Sequence, residues 1–398
     1  MSVPEITEAQ FEAALQPFGK SRTLPAAAYV SDAVLAWERE HFFAGGWTCV
    51  GRGSDVAEGS YTAVTAGNDS LVLSREPGGD LKAFFNVCRH RGHELLPCGS
   101  SAAAKVIKCP YHGWTYGLDG SLNGAPHFSD QPDFDIADFP LIEARTHEWG
   151  GWVFANVSGE APAFDDYAGS LRHTIAPYRP EKLVIAARDE FVVDANWKSI
   201  IENYHECYHC NHIHPELVQV SSPDSGHTWY PDGAWVGGDM ELLDGMNTMS
   251  MDGQTGARKM LPGIEGKRLR DVLYFELFPN LLISPHPDYV LTHRFEPLEP
   301  GLTRVECHWL FDAEEVARDG FDPSYAVDFW DITNKQDWSA TEGVQRGMHS
   351  KGYTPGPLSS VEETVYQAIY LVASGYKHGR INLDDLAAPS EILARPDK

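Results

Sequence analysis

At 398 residues, with 42% hydrophobic and 22% charged content, the chain is long enough for two domains and has an ordinary globular composition without low-complexity tracts or repeats. Its 31 Lys and Arg against 57 Asp and Glu leave a net charge of −26, which argues against nucleic acid as a partner because phosphate binding needs a basic patch. No apolar run approaches the roughly 18 residues of a membrane span, and the acidic start has no signal-peptide core, so a cytoplasmic location and no membrane partner are expected.

From 45 to 156 the pattern predicts short strands with turns between them. Tyr61-Thr62-Ala63-Val64 and Ser70-Leu71-Val72-Leu73-Ser74 alternate as half-buried strands do, and Gly78-Gly79-Asp80 turns into a strand starting at Leu81. Asp119-Gly120 is a further hairpin signal, and the strand from Gly151 closes the region. Two loop tips of this small β-domain carry Cys88-Arg89-His90-Arg91-Gly92 and Cys109-Pro110-Tyr111-His112-Gly113-Trp114. Each loop offers one thiolate and one imidazole, then a glycine for a tight turn. Zinc sites of the Cys2His2 kind instead place two Cys together and two His together. Two Cys and two His shared between loops suit a Rieske [2Fe–2S] centre, in which one iron keeps its cysteines and the other takes two histidines.

Beyond 157, strands at Leu183 and Phe191 lead into a helical stretch predicted over 196–211. Four further strands, beginning near Val272, Leu281, Tyr289 and Thr303, are expected to form an antiparallel sheet, and helices over 325–348 and 361–374 finish the chain. Separate blocks of strands and helices imply an α+β second domain. The stretch from Glu202 to Pro215 is dense in metal ligands. On a continuous helix Glu202, Glu206 and His209 share a face, while Pro215 biases His214 out of helical geometry. Two imidazoles and one carboxylate are the ingredients of a non-haem iron triad, but spacing does not choose the pair, since His205 and His209 at i and i+4 fit a zincin-like site equally well. In the later helix Trp330, Asp337, Thr341, Val344 and Met348 form one inward stripe, where a buried Asp337 needs a partner.

Seven cysteines, an odd number, argue against a secreted disulfide framework. Cys207 and Cys210 form a C-x-x-C, but its place inside a helical stretch instead of after a strand argues against a redox pair. The chain shows neither a G-x-G-x-x-G fingerprint after a strand nor plant-type ferredoxin cysteines, so electrons must come from another protein.

With C-x-H-R-G…C-x-Y-H-G-W met in full, and N-W-K…E-N-x…E-x-Y-H-x4-H met from Asn196 to His214, the chain resembles the catalytic α-subunit of Rieske non-haem iron oxygenases over most of its length. The resemblance implies an N-terminal all-β Rieske domain (45–156), a C-terminal helix-grip domain (157–398) onto which a helical segment (1–44) packs, and a homotrimer. It implies that Cys88, His90, Cys109 and His112 hold the cluster. His209, His214 and Asp337 would hold a mononuclear Fe(II), and Glu206 would bridge that site to His112 of the next subunit. Most members place an aspartate where Glu206 stands, so the bridge is one methylene longer here. The implied partners are O2, a small-molecule substrate and a flavin- or ferredoxin-type reductase that draws on NAD(P)H.

Around Glu206, Met249 and Gln345 the text looks like the glycine-betaine and carnitine monooxygenase branch, which implies oxygenation or N-demethylation of a quaternary ammonium compound. Aromatic faces bind such cations, and Tyr204, Trp229, Tyr230 and Trp235 are the candidates. The alternatives are dihydroxylation or O-demethylation of an aromatic acid and, outside enzymes, a Rieske electron carrier without the second iron.

Overall fold

The computed structural model describes residues 2–384. The chain divides into two compact units, one from Phe42–Phe164 and the other from the residues before Phe42 together with those from Asp165 on. The first unit therefore runs to Phe164, beyond the expected 156. Phe164 packs on Phe154 and His147, with ring centroids 4.8 and 4.2 Å apart, and the Trp47 indole N–H donates to the Pro162 carbonyl. These contacts hold the tail after the last strand to the β-domain.

In the first unit the strands are β1 (Thr48–Arg52), β2 (Ser60–Ala66), β3 (Asp69–Arg75), β4 (Leu81–Phe85), β5 (Ser101–Ala103), β6 (Val106–Lys108), β7 (Thr115–Gly117), β8 (Leu122–Gly124), β9 (Glu143–Trp149) and β10 (Trp152–Asn156). They form a seven-stranded sheet, β1-β10-β9-β4-β3-β2-β5, and a three-stranded one, β6-β7-β8. A core of Phe84, Ile107, Trp114, Tyr116 and Leu122 fixes the base of the two Cys-His loops.

The second unit is built on a seven-stranded antiparallel sheet of β11 (Leu183–Val193), β12 (His227–Thr228), β13 (Trp235–Glu241), β14 (Asp271–Leu277), β15 (Leu281–Pro285), β16 (Val290–Glu299) and β17 (Leu302–Asp312). Its order is β11-β17-β16-β15-β14-β13-β12. Along β17, buried Thr303, Val305 and Cys307 alternate with the half-exposed Arg304 and Glu306 as far as 307, after which every residue to Phe311 is buried, because helices cover the centre of the sheet. The Ser324–Met348 helix and the Trp197–Tyr204 helix pack on it and on each other. The N-terminal helices belong to this unit: Tyr29 donates to Glu202 at 2.6 Å, and Glu38 accepts from the Trp197 indole at 2.9 Å and pairs with buried Lys198 at 2.7 Å. Among the described residues no helix is long and apolar enough to cross a membrane.

Two helical expectations need correction. The helix expected over 196–211 is Trp197–Tyr204, followed by a turn and a short helix, Cys210–Ile213. The Glu206 carboxylate accepts the His209 backbone N–H at 3.0 Å, and Cys207 and Cys210 are joined by a disulfide. Both favour a tight turn over a continuing helix. Glu202 therefore shares no face with Glu206 and His209; it points to Tyr29. The C-x-x-C is a bonded pair, contrary to expectation. In the Ser324–Met348 helix, Val344 is 46% exposed while Gln345 is buried. The 3.6-residue repeat drifts over 25 residues, so a stripe extrapolated from Trp330 misses the true face by one position.

Candidate active site

The two Cys-His loops are near copies of one knuckle. In the first, the Cys88 N–H donates to the His93 carbonyl and the Gly92 N–H to the Cys88 carbonyl; in the second, Cys109 pairs with Trp114 and Gly113 with Cys109 in the same way. Gly92 and Gly113 sit at φ +72° and +74°, in the left-handed region that other residues enter only with strain. The thiols of Cys88 and Cys109 are buried, while His112 stands exposed at the tip. The His90 and His112 rings lie 4.7 Å apart, and His90 stacks flat on Trp114 at 5.0 Å. Two sheltered sulfurs with two outward imidazoles fit an asymmetric [2Fe–2S] cluster whose histidine-held iron faces solvent. Tyr116, which the sequence did not single out, accepts the Arg89 N–H at 2.9 Å, which leaves its O–H to donate to Cys88 Sγ at 3.3 Å.

In the second unit three donor atoms converge. His209 Nε2 and His214 Nε2 are 3.0 Å apart, and Asp337 Oδ1 lies 2.9 Å from His214 and 3.4 Å from His209. Ligands on one face of an octahedron, with bonds of about 2.1 Å, are separated by about 3.0 Å, so this triangle fits a metal ion capped from one side. Both imidazoles are locked with Nε2 inward. The His214 Nδ1–H donates to Gln336 Oε1 at 2.7 Å, and Gln336 in turn donates to Glu216 at 3.1 Å. The His209 Nδ1–H is held by Glu206, with Asn203 3.4 Å away. Such outer contacts orient metal ligands and raise their basicity. Burial alone would lower the pKa of His209, yet Asp337 and Glu206 together push it up to about 9; the two histidines likewise hold the Asp337 carboxyl below its usual range. A cation belongs in this site. Cys210 is also near, its Sγ 3.9 Å from His209 Nε2, but its sulfur is spent in the disulfide, so Asp337 is the better third ligand. His205 lies apart, paired with Glu276 at 3.3 Å, which disposes of the zincin-like alternative.

Comparison with known proteins agrees with both halves. The Rieske [2Fe-2S] domain profile matches residues 46–140, and the profile of the ring hydroxylating alpha subunit (catalytic domain) matches 180–373. The glycine betaine monooxygenase oxygenase subunit of Chromohalobacter salexigens is 31% identical over 86% of this chain and 82% of its own length. This chain belongs to the Rieske non-haem iron oxygenases. The carnitine monooxygenase oxygenase subunit of Escherichia coli K12 is 32% identical over 83% of this chain and 85% of its own. The crystal structure of the quaternary ammonium Rieske monooxygenase CntA with L-carnitine superposes with a TM-score of 0.75 at 25% identity, covering 93% of this oxygenase and 99% of that chain.

The donor triangle of this Rieske oxygenase opens into a cavity of about 90 Å³. Tyr204, Tyr274 and Trp330 give it aromatic walls, Leu217, Met240, Met249 and Leu273 apolar ones, and no Lys or Arg among the described residues lines it. Of the four aromatic candidates only Tyr204 is here, its hydroxyl 2.7 Å from Ser284. Trp229 and Trp235 lie on the β13 side, where their indole N–H groups bond Asp239 and Asp232 and their rings meet Phe275. Tyr230 is 54% exposed and bonds Glu363. Tyr274, from β14, and Trp330, from the long helix, take their place. A wider cleft of about 500 Å³ adjoins it and reaches Glu206 from the side of Tyr208, Asp224 and Glu363.

Proposed function

We propose that this Rieske oxygenase oxidises a C–H bond beside the nitrogen of a small quaternary ammonium compound, of the betaine or carnitine kind, using O2 and electrons from a separate NAD(P)H-dependent reductase. The observation that carries this reading is the composition of the cavity over the donor triangle. It offers three aromatic faces, apolar walls and the carboxylates of Asp337 and Glu206, with no Lys or Arg among the described residues. A cation held by aromatic faces gains roughly 0.5–2 kcal/mol per contact. The names of the glycine betaine and carnitine relatives support the same choice.

In this assignment Cys88, His90, Cys109 and His112 hold the cluster, and His209, His214 and Asp337 hold the mononuclear iron. When bound, these groups supply single electrons and the activation of dioxygen. The protein does the rest. Gln336 and Glu206 keep His214 and His209 protonated at Nδ1 and pointed inward, the aromatic walls orient the ammonium group, and Met240, Met249 and Leu273 exclude water. We extend the reading to a cytoplasmic homotrimer in which His112 of one subunit faces Glu206 of the next. The exposure of His112 and the open cleft at Glu206 support it, as does the inter-subunit electron transfer described for a carnitine-oxidising relative.

Hydroxylation of a carbon attached to nitrogen gives a carbinolamine that collapses to an aldehyde and a smaller amine. The test supplies a surrogate reductase, NADH and, in turn, glycine betaine, carnitine, choline and benzoate. Aldehyde and amine formed in step with NADH from at least one quaternary ammonium compound are expected; a diol from benzoate alone would overturn the reading.

A further inference from the structure

Three neutral histidines are buried around the sheet of the catalytic unit, and two of them have a partner. His205 Nε2 meets Glu276, and His293 Nε2 meets Asn334 Oδ1 at 3.2 Å. His286 is fully buried, and neither of its ring nitrogens has a hydrogen-bond partner among the described residues. It follows β15 at the hairpin to β16, its backbone N–H donating to the Tyr289 carbonyl at 2.8 Å. Side chains two apart on a strand share a face, so His286 stands beside Ser284 on the wall of the iron-site cavity. The ring is braced by Tyr289 and Trp330, with centroids 4.5 and 5.4 Å away, and those two are tied together by the Trp330 indole N–H on the Tyr289 hydroxyl at 2.7 Å.

Most other polar groups of the cavity wall are committed; the exception is the Asn203 amide, 3.4 Å from a His209 Nδ1 that Glu206 already holds. The Tyr204 and Ser284 hydroxyls bond each other, Ser221 donates to the Glu241 carbonyl, and Thr333 to that of Phe329. The Tyr274 hydroxyl lies toward Gly226 and Gly238, on the side of the neighbouring cleft. An imidazole that burial keeps neutral, its pKa pushed down to about 3, carries one N–H donor and one lone pair. Buried groups of this kind are normally paired, and an orphan that lines a cavity calls for a ligand.

We propose that His286 is the specificity residue for the tail of the substrate, its ring N–H donating to the carboxylate of a betaine whose ammonium end lies against the aromatic wall. This deepens the quaternary-ammonium reading and rests on it. With no Lys or Arg in the wall among the described residues, a neutral donor is what the cavity offers to the carboxylate. A substrate without a carboxylate would leave His286 as orphaned as it is now.

The test measures dissociation constants by calorimetry on the iron-loaded holoenzyme for glycine betaine and for tetramethylammonium, which has the cationic head and no tail. His286→Phe keeps the aromatic packing and removes the donor; His286→Leu does the same should Phe prove too bulky to fold. Cluster absorbance and iron content confirm that each variant is intact. Loss of one hydrogen bond to a charged group predicts about a 10- to 100-fold weaker affinity for glycine betaine, with tetramethylammonium changed by less than about 3-fold. His286→Gln, which keeps an N–H, should recover part of the loss. Equal weakening of both ligands, or none for glycine betaine, overturns the assignment of His286 alone. If the wild type binds neither compound, the quaternary-ammonium reading itself fails and the assignment falls with it.

Discussion

Replacing Glu206 by glutamine is the most informative single perturbation of the catalytic unit. The carboxylate makes two contacts to one residue, one oxygen on His209 Nδ1 and the other accepting the His209 backbone N–H at 3.0 Å. Glutamine keeps the size but has only one acceptor oxygen, so its NH2 must face a donor. One buried N–H is then left unmatched and a charge-assisted bond is lost, a cost of about 1.5–3 kcal/mol. At 1.4 kcal/mol per factor of ten this predicts a roughly 10- to 150-fold fall in affinity for the mononuclear metal, in line with the 10- to 100-fold typical of outer-shell partners. Titrating Fe(II) into metal-depleted Glu206→Gln and wild-type protein measures it directly. Glu206→Ala, reconstituted with excess iron, should hold both metal centres and still fail to couple NADH use to product. Wild-type iron affinity in Glu206→Gln, or full coupled activity in Glu206→Ala, would refute the reasoning.

Other outcomes follow from the same geometry. Gln336→Leu removes the acceptor that fixes the His214 tautomer and should weaken iron binding about 10-fold or more in the same titration. Tyr116→Phe deletes the hydroxyl beside Cys88 Sγ and should lower the cluster's reduction potential by roughly 20–65 mV, the equivalent of one ordinary hydrogen bond for a one-electron couple; protein-film voltammetry reads this. Glu202 is half-buried, and desolvation pushes its pKa up to about 7, so the folded state binds its proton more tightly than the unfolded chain does. Its contribution is complete below about pH 4.5 and is lost as pH rises through 7, a difference of the order of 3 kcal/mol. Glu202→Gln should flatten that fall in thermal stability between pH 5 and about 8; an unchanged slope would show that other groups set it.

Legibility of this fold depended on how local each signal is. The cluster loops could be read outright because ligands, turn glycines and flanking strands lie within a few residues. The second site could be read only in part. Spacing offered His205 as readily as His214, and it took the resemblance of the whole stretch to select His209, His214 and Asp337. A continuous helix was expected because no propensity reports that a Glu206 side chain will capture the His209 N–H or that Cys207 and Cys210 will join. The cavity wall was the least legible part. Tyr274 and His286 come from β14 and the end of the next strand, while Trp330 comes from a helix much later in the chain, and only the packing of that helix on the sheet brings the three together. Trp229 and Trp235 looked as suitable by composition, yet Trp229 follows β12 and Trp235 opens β13, and their indoles bond Asp239 and Asp232 away from the cavity.

The central claim is that a second iron sits on His209, His214 and Asp337, which makes the chain an oxygenase and not an electron carrier. Metal analysis of wild type, Asp337→Ala and Cys210→Ser tests it most directly. The account predicts three irons per chain in wild type and in Cys210→Ser, two in the cluster and one in the catalytic unit, and two with unchanged cluster absorbance in Asp337→Ala. Two irons in wild type, or a third that survives Asp337→Ala and is lost in Cys210→Ser, would contradict it.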